Sequence, residues 1–461
     1  MKMAHKSIHP RVLLSQKAYK KSAILLLSID TGETKMNNFD RVIGYAKEKE
    51  ELLRLCDVLK NSAKYTRLGV KIPKAILLYG EPGLGKTLMA KAFIAETGRK
   101  VFHCKKNKSN GEFVAEIKST FENAMKDAPS IIFFDDMDKF AEDNLQQNCN
   151  KEEFVAIQTG LEDIVEQDVF VIATANDIFY LPESLMREGR FGKQIEFTAP
   201  TFADSVKIIQ HFLASKQISD EISAQSLAHI LSGNSCAMLE NVINEAGIYA
   251  AFANRDKIIY DDIKYAISHI MLKRSNSQEM DERTKWRVSY HEAGHAIVHL
   301  LIHRDIGCLA IGKCGKDGLG VGVCCMSKPA ARFTCQDSEN HIMSLLAGRA
   351  SVEIQFGEID LGTIKDLQSA MNEIEDNLEW LAANGFEYLY LRDRYSNAQS
   401  VSQLDKNQDK KVRLIEEYYN RTKMLLLQNK PLLDKLAQEL YNKEVLLYDE
   451  ICAITKEYTI D

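Results

Sequence analysis

The chain has 461 residues, with 59 Lys and Arg against 65 Asp and Glu, and its formal net charge of -6 excludes a global positive field that would draw it onto nucleic acid. Hydrophobic residues make up 45% and charged residues 27% of the sequence, proportions typical of a soluble globular protein and unlike those of fibrous or disordered chains. At roughly 150 residues per domain, the length leaves room for about three domains.

Residues 1–36 form a basic segment with seven Lys or Arg and no sustained helical or strand period. The longest apolar runs of the chain, Ala23–Leu27 and Ile131–Phe134, are far shorter than the roughly 20 residues that cross a bilayer. The ten cysteines include no CxxC pair, which is typical of reduced thiols. We therefore predict a basic N-terminal arm on a cytoplasmic protein, and contact between this arm and a membrane stays an open alternative.

Helical stretches alternate with short runs of β-branched and aromatic residues between positions 37 and 200. The runs predicted as strands are Ala75–Tyr79, Ile131–Phe134, Val169–Ala173 and Gln194–Phe197. Such alternation predicts an α/β domain in which helices wrap a parallel sheet. From 201 to 275, apolar residues recur at helical spacing and strand signals are scarce, so this stretch predicts a small all-helical unit.

Residues 80–87, GEPGLGKT, fit the GxxxxGK[ST] pattern between a predicted strand and a predicted helix. Gly80, Gly83 and Gly85 would let backbone N–H groups curl around phosphate oxygens at a helix N-terminus. Lys86 would reach the β- and γ-phosphates of ATP, and the Thr87 hydroxyl would hold Mg²⁺. The pattern in this context predicts an ATP site.

Two carboxylates, Asp135 and Asp136, follow the second predicted strand at the carboxyl edge of the sheet. There Asp135 could hold hydrated Mg²⁺, and Asp136 could polarise the water that attacks ATP. The next strand along the chain ends in Asn176, and Arg187 and Arg190 follow in a loop. Two loop arginines are usually surface charges, so their pattern alone predicts no role.

Residues 291–295, HEAGH, match HExxH within a segment whose flanking residues suit a helix. Four residues advance a helix by just over one turn, so His291 and His295 would lie on one face about 6 Å apart along the axis and could share one Zn²⁺. Glu292 could take a proton from the metal-bound water as a general base. The motif predicts a zinc hydrolase centre.

A catalytic zinc needs a third protein ligand, which leaves one position open for water and substrate. His299 lies one turn further along the same face, so we predict that it packs beside the site. The HExxHxxGxxH pattern of metzincins is excluded, because Val298 and Leu301 occupy its Gly and His positions. Spacing alone cannot choose among the downstream carboxylates Glu339, Glu353, Asp360 and Asp366.

A Gly-, Cys- and Val-rich stretch from 307 to 326 predicts a β-hairpin beyond the HExxH segment. The remainder is predicted to be mainly helical up to Asp461, with a polar interruption at Ser396–Lys411.

A nucleotide site, a helical unit and an HExxH helix in this order resemble the FtsH family of AAA+ ATP-dependent zinc metalloproteases. The resemblance runs from Phe39 to the C-terminus. Besides the motifs above, it includes the segments Lys71–Lys74, Asn241–Ala246, Tyr290–Val298 and Leu346–Ala350. In this family the third zinc ligand is an Asp that opens a helix after a Gly/Ser/Thr-rich turn, and the matching residue here is Asp366.

The resemblance implies an α/β AAA+ P-loop ATPase with a helical lid, followed by a mainly α-helical HExxH zinc metalloprotease domain. The expected boundaries are 1–36 for the basic arm, 37–200 for the nucleotide-binding domain, 201–275 for the lid and 276–461 for the protease domain. It also implies Zn²⁺, ATP and Mg²⁺ as cofactors, and a hexameric ring of this chain or of this chain with relatives. In such a ring, Arg187 and Arg190 complete the neighbour's ATP site and Asn176 acts as sensor.

The sequence departs from the family pattern at three places. Members carry one or two N-terminal transmembrane helices, where this sequence has the basic arm. The catalytic Glu of the strand motif is replaced by Asp136, which is one methylene shorter and sits roughly 1–1.5 Å further from the water, a misplacement that can cost about a hundredfold in rate. The aromatic pore loop that grips substrate falls on Ser109, Asn110 and Gly111, and the nearest aromatic residue is Phe113.

We therefore predict an ATP-dependent zinc metalloendopeptidase that uses ATP binding and hydrolysis to feed polypeptide substrates to the HExxH site. Asp136 and the missing pore aromatic motivate an alternative, a nucleotide-binding scaffold or regulatory subunit with weak ATPase and translocation activity. A peptidase that acts on short peptides without regard to ATP is a third possibility.

Overall fold

The computed structural model describes residues 38–106, 110–140, 152–271, 280–302, 306–312, 322–325, 334–359, 361–389 and 401–458. The basic arm at 1–36 lies outside these ranges, as do Ser109 at the pore-loop position and Asp360. No helix in the described ranges combines the length and the apolar character needed to cross a lipid bilayer.

The first unit is an α/β layer structure. Its strands are β1 (Ala75–Tyr79), β2 (Lys100–Cys104), β3 (Ser130–Phe134), β4 (Val169–Ala175) and β5 (Lys193–Glu196). They form one parallel sheet in the order β2-β3-β4-β1-β5. Its helices are α1 (Ala46–Lys60), α2 (Ser62–Thr66), α3 (Lys86–Thr97), α4 (Asn110–Lys126) and α5 (Glu152–Asp163). The predicted α/β fold with a parallel sheet is confirmed.

Both faces of this sheet are covered, which explains the unbroken apolar run in β3. Ile131 and Phe133 pack with α1 and α3 on one face, and Ile132 and Phe134 pack with α4 and α5 on the other. Strand β2 was not predicted, because it lies at the sheet edge and carries exposed polar side chains, Lys100 among them, that break the apolar signal.

The second unit consists of the helices α6 (Phe202–Leu213), α7 (Ala224–Ile230), α8 (Cys236–Phe252) and α9 (Tyr260–Met271). The first three begin at hydroxyl N-caps, where the side chains of Thr201, Ser223 and Ser235 accept a hydrogen bond from a backbone N–H of the first turn. The apolar residues that predicted this unit, Leu239, Val242, Ile243 and Ala246, are fully buried.

The third unit is mainly helical. Its helices are α10 (Glu282–Ile302), α11 (Cys335–Phe356), α12 (Ile364–Glu379), α13 (Val401–Gln428), α14 (Lys430–Lys443) and α15 (Tyr448–Thr455). The predicted polar interruption was wrong from Val401 onward, because α13 already begins there.

The predicted hairpin exists, as β6 (Cys308–Ile311) pairs antiparallel with β7 (Gly322–Cys325). A third strand, β8 (Val445–Leu447), pairs with the other edge of β6. Sequence patterns missed β8 because its three residues are too few to show a period.

The small sheet joins the second and third units. The side chains of Leu309, Ile311 and Leu446 belong to the core of the third unit. Their neighbours on the opposite face belong to the core of the second unit, namely Cys308, Ala310, Val445 and Leu447. Beside them the imidazole of His229 stacks on the ring of Tyr448 with centroids 4.1 Å apart. The sheet therefore fixes the HExxH unit against the helices that adjoin the nucleotide loop.

Candidate functional site

The glycine loop connects β1 to α3 at the middle of the parallel sheet. Gly80, Gly83 and Gly85 all have positive φ angles of 138°, 81° and 87°, a backbone conformation that residues with a side chain rarely adopt. Gly85 lies directly before the first turn of α3. The loop therefore presents backbone N–H groups around a helix N-terminus, as a phosphate site requires.

The Lys86 ammonium lies inside this loop. Its Nζ donates to the carbonyl oxygens of Gly80 at 2.6 Å and Glu81 at 2.8 Å, and to Oδ1 of Asn176 at 3.0 Å. Burial lowers the pKa of Lys86 below its usual value, while the Coulomb attraction of Asp138, Asp136 and Asp135 opposes that shift. Asn176 follows β4, the strand next to β1, so the sheet order brings the amide to the lysine.

Asp135 lies beside Thr87 because β3 and β1 both flank β4. Its Oδ1 accepts hydrogen bonds from the hydroxyls of Thr87 and Thr174, both at 2.9 Å. A carboxylate and a hydroxyl in contact form a donor set that suits hydrated Mg²⁺ beside nucleotide phosphates. Sequence analysis did not identify Thr174 as a site residue. A hydroxyl near the carboxyl end of an otherwise apolar, buried strand could have indicated it.

Asp136 is held in an unusual backbone conformation, with φ at 55°. Its backbone N–H donates to the Thr174 hydroxyl at 2.9 Å. Its Oδ2 accepts a hydrogen bond from the Lys139 ammonium at 2.9 Å. The carboxylate expected to polarise water therefore already has a cationic partner, which sequence analysis missed.

The two arginines of the second loop differ in their surroundings. Arg187 is exposed to solvent. Arg190 donates to the carbonyl oxygen of Ser184 at 2.6 Å and forms an ion pair with Glu162 at 2.7 Å. Neither arginine contacts Lys86 in the described contacts, so the chain does not bring them to its own glycine loop.

The second unit closes over the loop. The backbone N–H of Ala237 in α8 donates to the carbonyl of Gly83 at 3.0 Å. A cavity of about 760 Å³ lies next to this contact, and its walls include Gly80, Asn176 and His229. This cavity is a cleft between the first two units that opens beside the phosphate loop.

Phe113 is not available as a substitute pore-loop aromatic. It is fully buried and packs edge-on against Phe140, with centroids 4.8 Å apart. Gly111, two residues before it, is exposed in the first turn of α4. Among the described residues, the pore-loop position therefore presents glycine and no aromatic ring.

The HExxH residues lie on α10, as predicted. The Nε2 atoms of His291 and His295 are 3.0 Å apart. Oδ2 of Asp366 lies 3.5 Å from the first Nε2 and 3.8 Å from the second. These three side chains form the one group of potential metal ligands found in the described part of the chain, with all ligand atoms within 4.8 Å of one another.

The donor set fits zinc. Two imidazole nitrogens and one carboxylate oxygen are the ligands that catalytic zinc sites use, and three protein ligands leave a fourth position open. The electrostatics agree with a cation at this point. Burial alone would raise the pKa of Asp366, but the adjacent imidazoles of His291 and His295 bring that pKa well below its usual range.

Helix α11 orients both histidines. The Nδ1 of His295 lies 2.7 Å from the carbonyl oxygen of Ser344, a hydrogen bond that leaves Nε2 to face the metal position. The ring of His291 lies over Gly348, where a Cβ would overlap the imidazole. Ser344 was missed from the sequence, because a backbone carbonyl gives no residue-specific signal.

Glu292 is buried behind the two histidines, with 6% of its surface exposed. Burial raises the pKa of its carboxyl group, an effect that the nearby histidines partly offset. Strand β7 covers it, since a Cβ on Gly322 would overlap the Glu292 carboxylate. The carboxylate is therefore enclosed between α10 and the edge strand, next to the metal-ligand group.

The other carboxylates left open by spacing lie elsewhere. Glu339 binds Arg421 at 2.9 Å. Glu353 binds the hydroxyl of Tyr419 at 2.5 Å and Lys423 at 2.9 Å. Asp360 lies outside the described residues. His299 is buried at 5% exposure and is absent from the ligand group.

Two different known families match the two parts of the chain that contain these sites. Residues 76–199 match the ATPase family associated with various cellular activities (AAA), and residues 278–454 match Peptidase family M41. The first range contains the glycine loop, both aspartates and both arginines. The second contains the HExxH helix and Asp366.

Individual relatives match almost the whole chain. An ATP-dependent zinc metalloprotease FtsH 2 from Thermoanaerobacter sp. (strain X514) is 32% identical over 453 residues, covering 93% of this chain and 85% of the relative. The FtsH of Bacillus subtilis (strain 168) is 31% identical, with 91% and 70% covered. The FtsH of Alkalihalophilus pseudofirmus is 30% identical, with 92% and 66% covered. The two motifs therefore occur together in one family.

Proposed function

The chain belongs to the FtsH family of ATP-dependent zinc metalloproteases, and we propose that it feeds polypeptide substrates, by ATP binding and hydrolysis, to a proteolytic site formed by His291, Glu292, His295 and Asp366. The family uses Zn²⁺, and ATP with Mg²⁺. The observation that carries the proposal is the position of the buried Glu292 next to three side chains that fit a catalytic zinc.

At the proteolytic site, His291, His295 and Asp366 hold the metal. Bound zinc supplies Lewis acidity, which activates water and polarises the scissile carbonyl. Glu292 receives the proton from the attacking water and delivers it to the leaving amine. Its enclosed position supports this role, because a carboxylate with a raised pKa is a stronger proton acceptor at neutral pH. Ser344 keeps His295 in the orientation that presents Nε2 to the metal.

At the nucleotide site, the glycine loop binds the phosphates and Lys86 reaches the β- and γ-phosphates. Thr87 and Asp135 hold Mg²⁺, Asn176 senses the γ-phosphate and Asp136 polarises the attacking water. The contacts of Lys86 with Gly80 and Asn176 support this assignment, because they hold its ammonium within the glycine loop.

We further infer a hexameric ring, of this chain alone or with relatives. Arg187 and Arg190 would then complete the ATP site of the neighbouring subunit by stabilising charge on the transferred phosphoryl group. The exposure of Arg187 supports this role, since an exposed arginine is free to reach another subunit. Polypeptides are the proposed substrates, and nothing in the charge balance suggests nucleic acid.

The test compares degradation of casein, an unstructured substrate, by the wild-type chain with Zn²⁺ and Mg-ATP, by Glu292→Gln and by Lys86→Ala. We expect Glu292→Gln to abolish cleavage while ATP hydrolysis persists, and Lys86→Ala to lose both. Equal cleavage by wild type and Glu292→Gln would refute the proteolytic role. Equal cleavage with and without ATP would show that the chain is a peptidase whose activity does not depend on the nucleotide.

A further inference from the structure

Two lysines lie against the two carboxylates at the edge of the nucleotide site. Lys105 directly follows β2, and its Nζ is 3.7 Å from Oδ2 of Asp135. The Nζ of Lys139 is 2.9 Å from Oδ2 of Asp136, within hydrogen-bond distance. Both carboxylates are therefore paired within their own subunit.

The ion pair with Lys139 engages a carboxylate oxygen of Asp136, the group proposed to accept a proton from the water that attacks ATP. A carboxylate that accepts a proton from water must offer a lone pair to that water, and one oxygen of Asp136 already accepts a hydrogen bond from an ammonium. The Lys139 ammonium therefore competes with the attacking water for the Asp136 carboxylate.

The backbone around Asp136 keeps this pairing in place. The residue has a φ of 55°, and its N–H is bound to the Thr174 hydroxyl. Lys139 lies three residues later, in a short 3-10 helix from Met137 to Phe140. The side chain of Asp136 is mostly shielded, with 23% exposed, whereas that of Lys139 is 50% exposed. The ion pair therefore lies at the edge of the nucleotide site, with the lysine toward solvent and the aspartate toward the interior.

We propose that Lys139 is a positioning residue that restrains ATP hydrolysis by holding the Asp136 carboxylate in an ion pair within the subunit. The inference rests on the proposed role of Asp136. Lys105 is a weaker candidate, because its longer separation from Asp135 excludes a direct hydrogen bond.

The restraint is modest, because a half-exposed ion pair is weak. We expect Lys139→Met to raise kcat for ATP hydrolysis roughly two- to fivefold without changing KM for ATP. Lys139→Arg keeps a cation at the same place and should restore the wild-type rate. Lys207→Met is the matched control, since Lys207 also pairs with an aspartate three residues away, Asp204, at similar exposure, and should leave the rate unchanged.

The experiment measures steady-state ATP hydrolysis by the purified full chain for wild type, these three variants and Asp136→Asn. A rate for Lys139→Met equal to or below wild type, with Asp136→Asn inactive, would overturn the inference and leave the role of Asp136 intact. A fall in particular would mean that Lys139 supplies charge to the transition state. Full activity of Asp136→Asn would refute both the proposed base and the restraint. A rise in Lys139→Arg equal to that of Lys139→Met would also contradict an ion-pair effect.

Discussion

The imidazole of His291 lies directly against Gly348, so closely that a Cβ atom on residue 348 would overlap the ring. The contact joins the HExxH helix to α11, which also supplies the Ser344 carbonyl that binds His295. One helix therefore sets the orientation of both histidines.

Substitution of Gly348 by alanine should displace His291 from the metal position. We expect Gly348→Ala to lower zinc affinity and casein cleavage roughly 10- to 100-fold, the scale of effect when a residue that orients a metal ligand is changed. Gly247→Ala is the control, because a Cβ there meets Ile258 at an ordinary 3.5 Å. Competition with a zinc-sensitive dye measures the affinity, and equal values for the two variants would show that the close approach is not needed.

The assignment of Asp366 as the third zinc ligand can be tested by comparing it with two other carboxylates that sequence spacing left as candidates. Asp366→Ala should reduce bound zinc to a small fraction of one ion per chain and abolish proteolysis, because two histidines alone bind zinc weakly. Glu339→Ala and Glu353→Ala should retain zinc, since those carboxylates bind Arg421 and Lys423. Elemental analysis of the purified variants gives the result, and zinc retained by Asp366→Ala would reject this ligand.

Lengthening Asp136 by one methylene should bring its carboxylate closer to the attacking water. We expect Asp136→Glu to increase ATP hydrolysis by up to about a hundredfold, the scale that a misplacement of about 1 Å can cost. Asp163→Glu, an exposed change at the end of α5, serves as control. A phosphate-release assay measures the rate of ATP hydrolysis. A rate unchanged by Asp136→Glu would show that the distance from the carboxylate to the attacking water does not limit turnover.

The small sheet should be essential for the stability of the third unit. Leu446 is fully buried, so Leu446→Ala should destabilise that unit by about 2–5 kcal/mol through lost contacts and the cavity left behind. Leu427→Ala removes a side chain that is 53% exposed and should change stability by less than about 0.5 kcal/mol. Thermal unfolding followed by circular dichroism distinguishes the two variants, and similar melting temperatures would argue against a stabilising role of the small sheet.

The Glu353 cluster should contribute stability that depends on pH. Hydrogen bonds from Tyr419 and Lys423 lower the pKa of Glu353 below its usual 4.5. The ionised form is therefore favoured in the folded chain, so its contribution is present above about pH 4.5 and is lost as the pH falls through the lowered pKa. Glu353→Gln should melt below wild type near about pH 7, and the difference in melting temperature should narrow as the pH falls below about 4.5. Glu416 is exposed, and Glu416→Gln should melt at the wild-type temperature at both neutral and acidic pH.

Local patterns in the sequence predicted much of this molecule, because the relevant signals are short. The glycine loop, the apolar run before Asp135 and the HExxH helix each lie within a few residues, and backbone geometry alone gives them their shape. Strands β2 and β8 escaped prediction, since one is a polar edge and the other has three residues. Asp366 was chosen through family resemblance and not from spacing.

The sequence by itself determined which chemistry the chain carries, since phosphate loops and paired histidines depend on residue type at fixed local spacing. Tertiary structure alone decided which partners those residues meet. Helix α11 brings Ser344 and Gly348 to the histidines, and α12 brings Asp366. Such contacts depend on how separate elements pack, and packing is set by the shape and burial of many side chains together, which no local pattern records.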